Sequence, residues 1–124
     1  MQNKKIRNAT PTTYAGVKYR SKLEAKFAKI LTEAGVQFKY EFPTYELLPR
    51  QEFQGETLRP VTYTPDFLVK DFIIEVKGFK NDVYPLKKKL IANFLNNHFP
   101  AQKFIEIHNE RDMRAALQSI LNEQ

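Results

Sequence analysis

The sequence predicts an α/β protein, a mixed central sheet flanked by helices with core elements in the order αβββαβα. Three observations carry that expectation. Segments beginning at Ser21 and at Val83 repeat apolar residues at helical spacing. Val36, Phe38, Tyr40 and Phe42 alternate with Gln37, Lys39 and Glu41, the period of a half-buried strand. Phe72-Ile73-Ile74 is apolar on both faces, as a central strand is.

In chain order, residues 1–13 are polar and basic, with Lys4, Lys5 and Arg7 and no periodicity. They read as a flexible basic arm. Residues 14–124 read as a single domain, of a size that buries about two-thirds of its unfolded surface. Ser21 starts a helix that runs to about Ala34, with Gly35 as its stop. After the alternating strand, Tyr45 to Leu48 and Thr57 to Tyr63 are expected to pair as a hairpin around Gln54-Gly55. Phe67-Leu68-Val69 and Phe72 to Lys77 follow as closely spaced strands, ended by Gly78. A helix over about Val83 to Asn97, a strand over Lys103 to Ile107 and a helix over about Glu110 to Leu121 complete the order.

Composition narrows the chemistry. No cysteine is present among 124 residues, so disulfides and thiolate metal sites are excluded. No signal-peptide pattern and no apolar run of membrane-spanning length occurs, so a soluble protein of the cytoplasm is expected, with no membrane partner and no small-molecule substrate. The net charge of +6 favours a polyanionic partner without specifying one. If Glu24, Asp66 and Glu75 are committed to a metal, the remaining surface is more basic still.

Glu75 and Lys77 lie two apart on a strand and so share a face with Ile73, while Phe72, Ile74 and Val76 take the other. A carboxylate and an ammonium on a buried strand need pairing or a metal. An edge-strand ion pair, or a strand end emerging into solvent, satisfies the same pattern. Asp66 opens the preceding strand behind Pro65, which holds the approach extended. Should the two strands be neighbours, the carboxylates converge as Mg²⁺ prefers its oxygen ligands; a turn residue after proline is the alternative. Ser21-x-x-Glu24 is a capping box, which by itself accounts for Glu24. Yet at about 100° per residue Glu24 falls among Leu31 and Ala28, on the apolar flank of its helix. On the later helix, counted from Leu86, Lys87 comes out in the middle of the apolar arc formed by Leu90, Phe94, Ile91 and Leu95, whereas Lys88 and Lys89 point away. An inward Lys87 either meets the site acids or snorkels to water. His98 and His108 have no metal-ligand spacing and read as structural.

The ordered set Tyr19 to Glu24, Gly35 to Glu41, Tyr63 to Leu68 and Glu75-Val76-Lys77-Gly78 resembles the endonuclease I family of phage Holliday-junction resolvases, within the PD-(D/E)xK nuclease superfamily. Arg59 to Tyr63, Val83 to Leu90 and Phe104 to Ile107 are similar also to small phage and prophage nucleases of unassigned role. The resemblance covers about residues 19–107, and the stretch from Leu47 to Pro60 is longer than in the resolvases. It implies a restriction-endonuclease-like core and a Mg²⁺-dependent DNA endonuclease, with Mn²⁺ able to substitute. It further implies Glu24, Asp66, Glu75, Lys77 and Lys87 as catalytic, and Glu24, Asp66, Glu75 and the Val76 carbonyl as metal ligands. A resolvase works on branched DNA as a homodimer. Arg20, Lys22, Lys80, Lys88 and Lys89 are candidate phosphate contacts by charge. A general duplex or single-strand nuclease, and a non-catalytic nucleic-acid-binding module of the same fold, remain open.

Overall fold

A computed structural model of the chain describes residues 10–77 and 83–123. Strand β1 (Thr12–Tyr14) pairs antiparallel with β2 (Val17–Tyr19). The polar sequence before residue 14 carries no strand signal. The hairpin forms through a two-residue turn, Ala15 and Gly16, with φ of 52° and 83°, a turn geometry whose twist matches that of the strands. The basic residues Lys4, Lys5 and Arg7 lie outside the described residues, as do Gly78 and Lys80.

Helix α1 (Lys22–Glu33) starts where Ser21 Oγ accepts the Glu24 amide at 3.1 Å, and Gly35, at φ 74°, follows its last turn. The expected strand from Val36 to Phe42 is reduced to β3 (Lys39–Tyr40). Val36, Phe38 and Tyr40 do pack on the core, but Glu41 takes φ 55° and turns the chain, leaving Phe42 47% exposed.

A long antiparallel ribbon comes next: β4 (Tyr45–Leu48), β5 (Gln51–Phe53), β6 (Glu56–Leu58) and β7 (Val61–Tyr63). β5 pairs with β6 around Gln54 and Gly55, both at positive φ, and β4 pairs with β7. The expected continuous strand from Thr57 to Tyr63 is interrupted at Arg59-Pro60, and its partner at Pro49-Arg50. Proline has no N–H to donate to a ladder, so the ribbon breaks on both sides at one level.

Strands β8 (Phe67–Val69) and β9 (Phe72–Val76), helix α2 (Tyr84–His98), strand β10 (Lys103–Ile107) and helix α3 (Glu110–Asn122) complete the fold. The principal sheet runs β10-β9-β8-β3, with β10 parallel to β9 and the other neighbours antiparallel. The class is therefore α/β with a mixed sheet. One face carries Phe67, Val69, Phe72, Ile74, Val76 and Ile107 into a core with Phe27, Ala28 and Leu31 of α1 and Met113, Ala116 and Ile120 of α3. The other carries Ile73 into a smaller core with Ile91 and Leu95 of α2 and Tyr45 and Tyr63 of the ribbon. Among the described residues no helix is long and apolar enough to cross a membrane.

Phe67 joins these parts. Its ring lies 5.1 Å from Phe27 and 5.4 Å from both Phe38 and Tyr40, and it is wholly buried. Phe67→Ala is expected to remove about 3–5 kcal/mol of stability, read as a lower urea midpoint with an unchanged slope.

Candidate active site

The two central acids are brought together by strand register. Phe67 pairs with Ile74 in the β8–β9 ladder, so Asp66, one residue before β8, stands across from Glu75 on the face that carries Ile73 and Leu68. Asp66 is fixed at both ends. Its backbone carbonyl accepts the Glu41 N–H at 2.8 Å, and its Oδ2 accepts the Val76 N–H at 2.7 Å. Glu75 Oε1 accepts the Tyr63 hydroxyl at 2.7 Å. Lys77 follows on the same face, its N–H donated to Ile107 at 2.7 Å. The strand faces expected for Phe72 to Lys77 are those observed.

Electrostatics follow from burial. Desolvation, followed by the charges of Glu75 and Glu24, pushes Asp66 up to about 8, against the pull of the Val76 amide. Glu75 is raised as well, chiefly by burial, although the Tyr63 hydroxyl, Lys77 and Lys87 favour its ionised form. Among the described residues no cation lies within 4 Å of either carboxylate. Two half-buried, mutually repelling carboxylates are hard oxygen donors suited to a divalent cation. Among the described residues no three His, Cys, Asp or Glu side chains are grouped closely enough to hold a metal ion. Asp66 and Glu75 could hold one only with oxygens other than side-chain carboxylates, such as the Val76 carbonyl, water or phosphate.

Glu24 sits elsewhere than a three-carboxylate metal centre requires. It is 6% exposed, on the apolar flank of α1 as its helical position predicts. Its Oε1 accepts the Tyr40 hydroxyl and the Arg20 N–H, the latter at 3.1 Å. The capping box is thus altered: Ser21 caps the Glu24 amide, but the carboxylate reaches the residue before the cap. Burial raises Glu24 and the Tyr40 hydroxyl opposes that rise. Glu24 influences Asp66 and Glu75 through its charge, not through a shared ligand position.

A cavity of about 310 Å³ opens over the acids, lined by Arg20, Tyr63, Thr64, Asp66, Glu75, Lys77, Tyr84, Lys87 and Ile91 among others. Lys87 is half-buried there, as its place on the apolar arc of α2 predicts. It lies one turn before Ile91 and two before Leu95, the buried residues of α2, while Leu86 at the edge of the arc is 63% exposed. Arg20 reaches the cavity wall while paired with Glu41 at 2.7 Å. Lys22 and Lys89 are exposed and do not line the cavity, and Lys88 pairs with Glu106 at 3.1 Å. Lys80 lies outside the described residues.

The residues that sequence reasoning missed are tyrosines. Tyr63 holds Glu75, Tyr40 holds Glu24, and Tyr84 donates to Glu106 while its ring faces Lys77. Tyr63 carried a usable signal, three residues before Asp66 at the end of an alternating segment. Tyr40 and Tyr84 carried none, since their partners are distant in sequence.

A family described as protein of unknown function (DUF1064) matches residues 4–109, and the chain belongs to that family. No curated protein and no solved structure matches it.

The raised Asp66 value has a sign that can be measured. From its ordinary 3.8 to about 8, the folded chain keeps a proton that the unfolded chain releases. Stability therefore falls as pH rises through that window, and the cost is complete above it. Asp66→Asn keeps an acceptor for the Val76 amide and removes the charge. In EDTA it is expected to gain at least about 1 kcal/mol at pH 8.5 and nothing near pH 4, by urea titration at both values.

Proposed function

We propose that this protein is a metal-dependent DNA endonuclease of the PD-(D/E)xK type, hydrolysing phosphodiester bonds. The observation that carries the reading is the single rung on which Asp66 faces Glu75, with Lys77 on the same face and Lys87 lining the same cavity. The order α1, β3, β8, β9, α2, β10, α3, with the ribbon inserted between β3 and β8, supports a restriction-endonuclease-like core.

In this proposal Asp66 and Glu75 hold Mg²⁺, or Mn²⁺ in its place, with the Val76 carbonyl. The ion supplies Lewis acidity and neutralises charge at the phosphate. The chain's own residues do the rest. Tyr63 fixes one oxygen of Glu75 and so leaves the other to face the cavity. Lys77 offers an ammonium beside the acids, where negative charge grows on the phosphate in the transition state. Lys87 and Arg20, which both line the cavity, orient the phosphate by charge before reaction. Glu24, held by Tyr40, acts on the site at a distance: its negative charge favours a cation between Asp66 and Glu75. Lys88 and Lys89 stand outside the cavity and suit contacts to neighbouring phosphates. Branched DNA as the substrate, and a homodimer to cut it, enter the proposal from the resemblance to junction resolvases.

The test is cleavage of a labelled four-way junction and of the matching linear duplex, each with Mg²⁺ or EDTA. Paired nicks in the junction alone, dependent on metal, support the resolvase form; equal cutting of both substrates supports a general nuclease. Asp66→Ala and Lys77→Ala are each expected to lower cleavage by at least about 100-fold with salt-sensitive DNA binding retained. Cutting by either variant at the unaltered rate removes that residue from the mechanism. Salt-sensitive binding with no cutting by the unaltered chain favours the binding module.

A further inference from the structure

The ammonium of Lys77 has two possible resting places. One is the pair Asp66 and Glu75, which would attract it strongly in a half-buried cavity. The other is the ring of Tyr84, and the structure has it there: Nζ lies 3.9 Å from the ring centroid, with no carboxylate oxygen within 4 Å among the described residues. We propose that Tyr84 is a positioning residue that parks Lys77 on its ring and so keeps Asp66 and Glu75 free to take a divalent cation. This rests on the nuclease reading above.

The ring is built to stay in place. Tyr84 opens α2, and its hydroxyl donates to Glu106 Oε2. Glu106 is paired with Glu75 in the parallel β10–β9 register and is gripped by Lys88 at 3.1 Å. The anchor of the ring therefore hangs on the strand next to the one that carries Lys77. Lys77 is fixed at the other end of its side chain by the bond from its N–H to Ile107, the residue after Glu106. With the backbone and the ring both tied to β10, the flexible lysine stem has a defined reach. The π face attracts a cation without supplying a formal negative charge, so it holds the ammonium without an ion pair. Without the ring, Glu75, which already feels the charge of Lys77, would draw Nζ, and an ion pair there would compete with the metal for the same oxygens.

The experiment measures Mn²⁺ affinity by calorimetry in the absence of DNA, on the full chain, for Tyr84→Leu and Tyr84→Phe in two backgrounds: unaltered and Lys77→Met. Tyr84→Leu is expected to weaken Mn²⁺ binding about tenfold in the unaltered background and to leave it unchanged in the Lys77→Met background. Tyr84→Phe, which keeps the ring, is expected to stay within about threefold of the unaltered chain. Circular dichroism melts establish that each variant is folded, and the Phe variant keeps the comparison usable if the Leu variant is not. Unchanged affinity in Tyr84→Leu overturns the inference, and so does an equal loss in both backgrounds, which would make Tyr84 merely structural. A loss in Tyr84→Phe as large as in Tyr84→Leu overturns it too. Absence of Mn²⁺ binding by the unaltered chain overturns the metal-dependent reading itself, and the inference with it.

Discussion

The pairing of β8 with β9 is the constraint on which the rest depends. Phe67 and Ile74 are opposite each other and both are wholly buried in the larger core. Their burial sets the register, since a slip by one residue would carry every side chain of β8 to the opposite face. Once Phe67 lies under α1, Asp66 has to project to the other side, across from Glu75. The repulsion between those carboxylates is a consequence of apolar packing on the reverse of the sheet. Two backbone amides then hold Asp66 where the packing has put it, Glu41 donating to its carbonyl and Val76 to its carboxylate.

Around that rung the chain manages charge with neutral donors. Tyr63 and Tyr40 donate hydroxyl hydrogen bonds to Glu75 and Glu24, neither of which has a cation within 4 Å among the described residues, whereas Glu106 takes both the Tyr84 hydroxyl and Lys88. A phenol can satisfy a buried carboxylate without cancelling its charge, which an arginine or lysine would do. The cavity lining therefore combines the carboxylates of Asp66 and Glu75 with the cations Arg20, Lys77 and Lys87. A metal and a phosphate together would use both signs of charge, which is the ground for proposing nuclease chemistry over simple nucleic-acid binding, for which acids in the lining would be a liability.

The longer helices and β10 were legible because their signals are local. Ser21 and Gly35 bracket α1, and the bounds of β10 are those read from Lys103 to Ile107. The Gln54-Gly55 turn was equally plain. Errors arose where a neighbour overrides the pattern. The alternation from Val36 to Phe42 outlasts the strand because Glu41 bends the chain to reach Asp66. Leu86 lies at the edge of the apolar arc of α2 and stays exposed, because only the later turns, with Ile91 and Leu95, have a core to enter.

The sequence by itself determined the order of elements from α1 onward, the shared face of Glu75 and Lys77, and the inward flank occupied by Glu24, all of which follow from the periods of strand and helix. Only the tertiary structure decided where those groups end up. It set Asp66 against Glu75, turned Glu24 to Tyr40 and away from the rung, and laid Lys77 over Tyr84. These are contacts between residues 7 to 16 positions apart whose geometry depends on how strands and helices stack. Periodicity says which way a side chain leaves its own element. The packing of other elements decides what it meets.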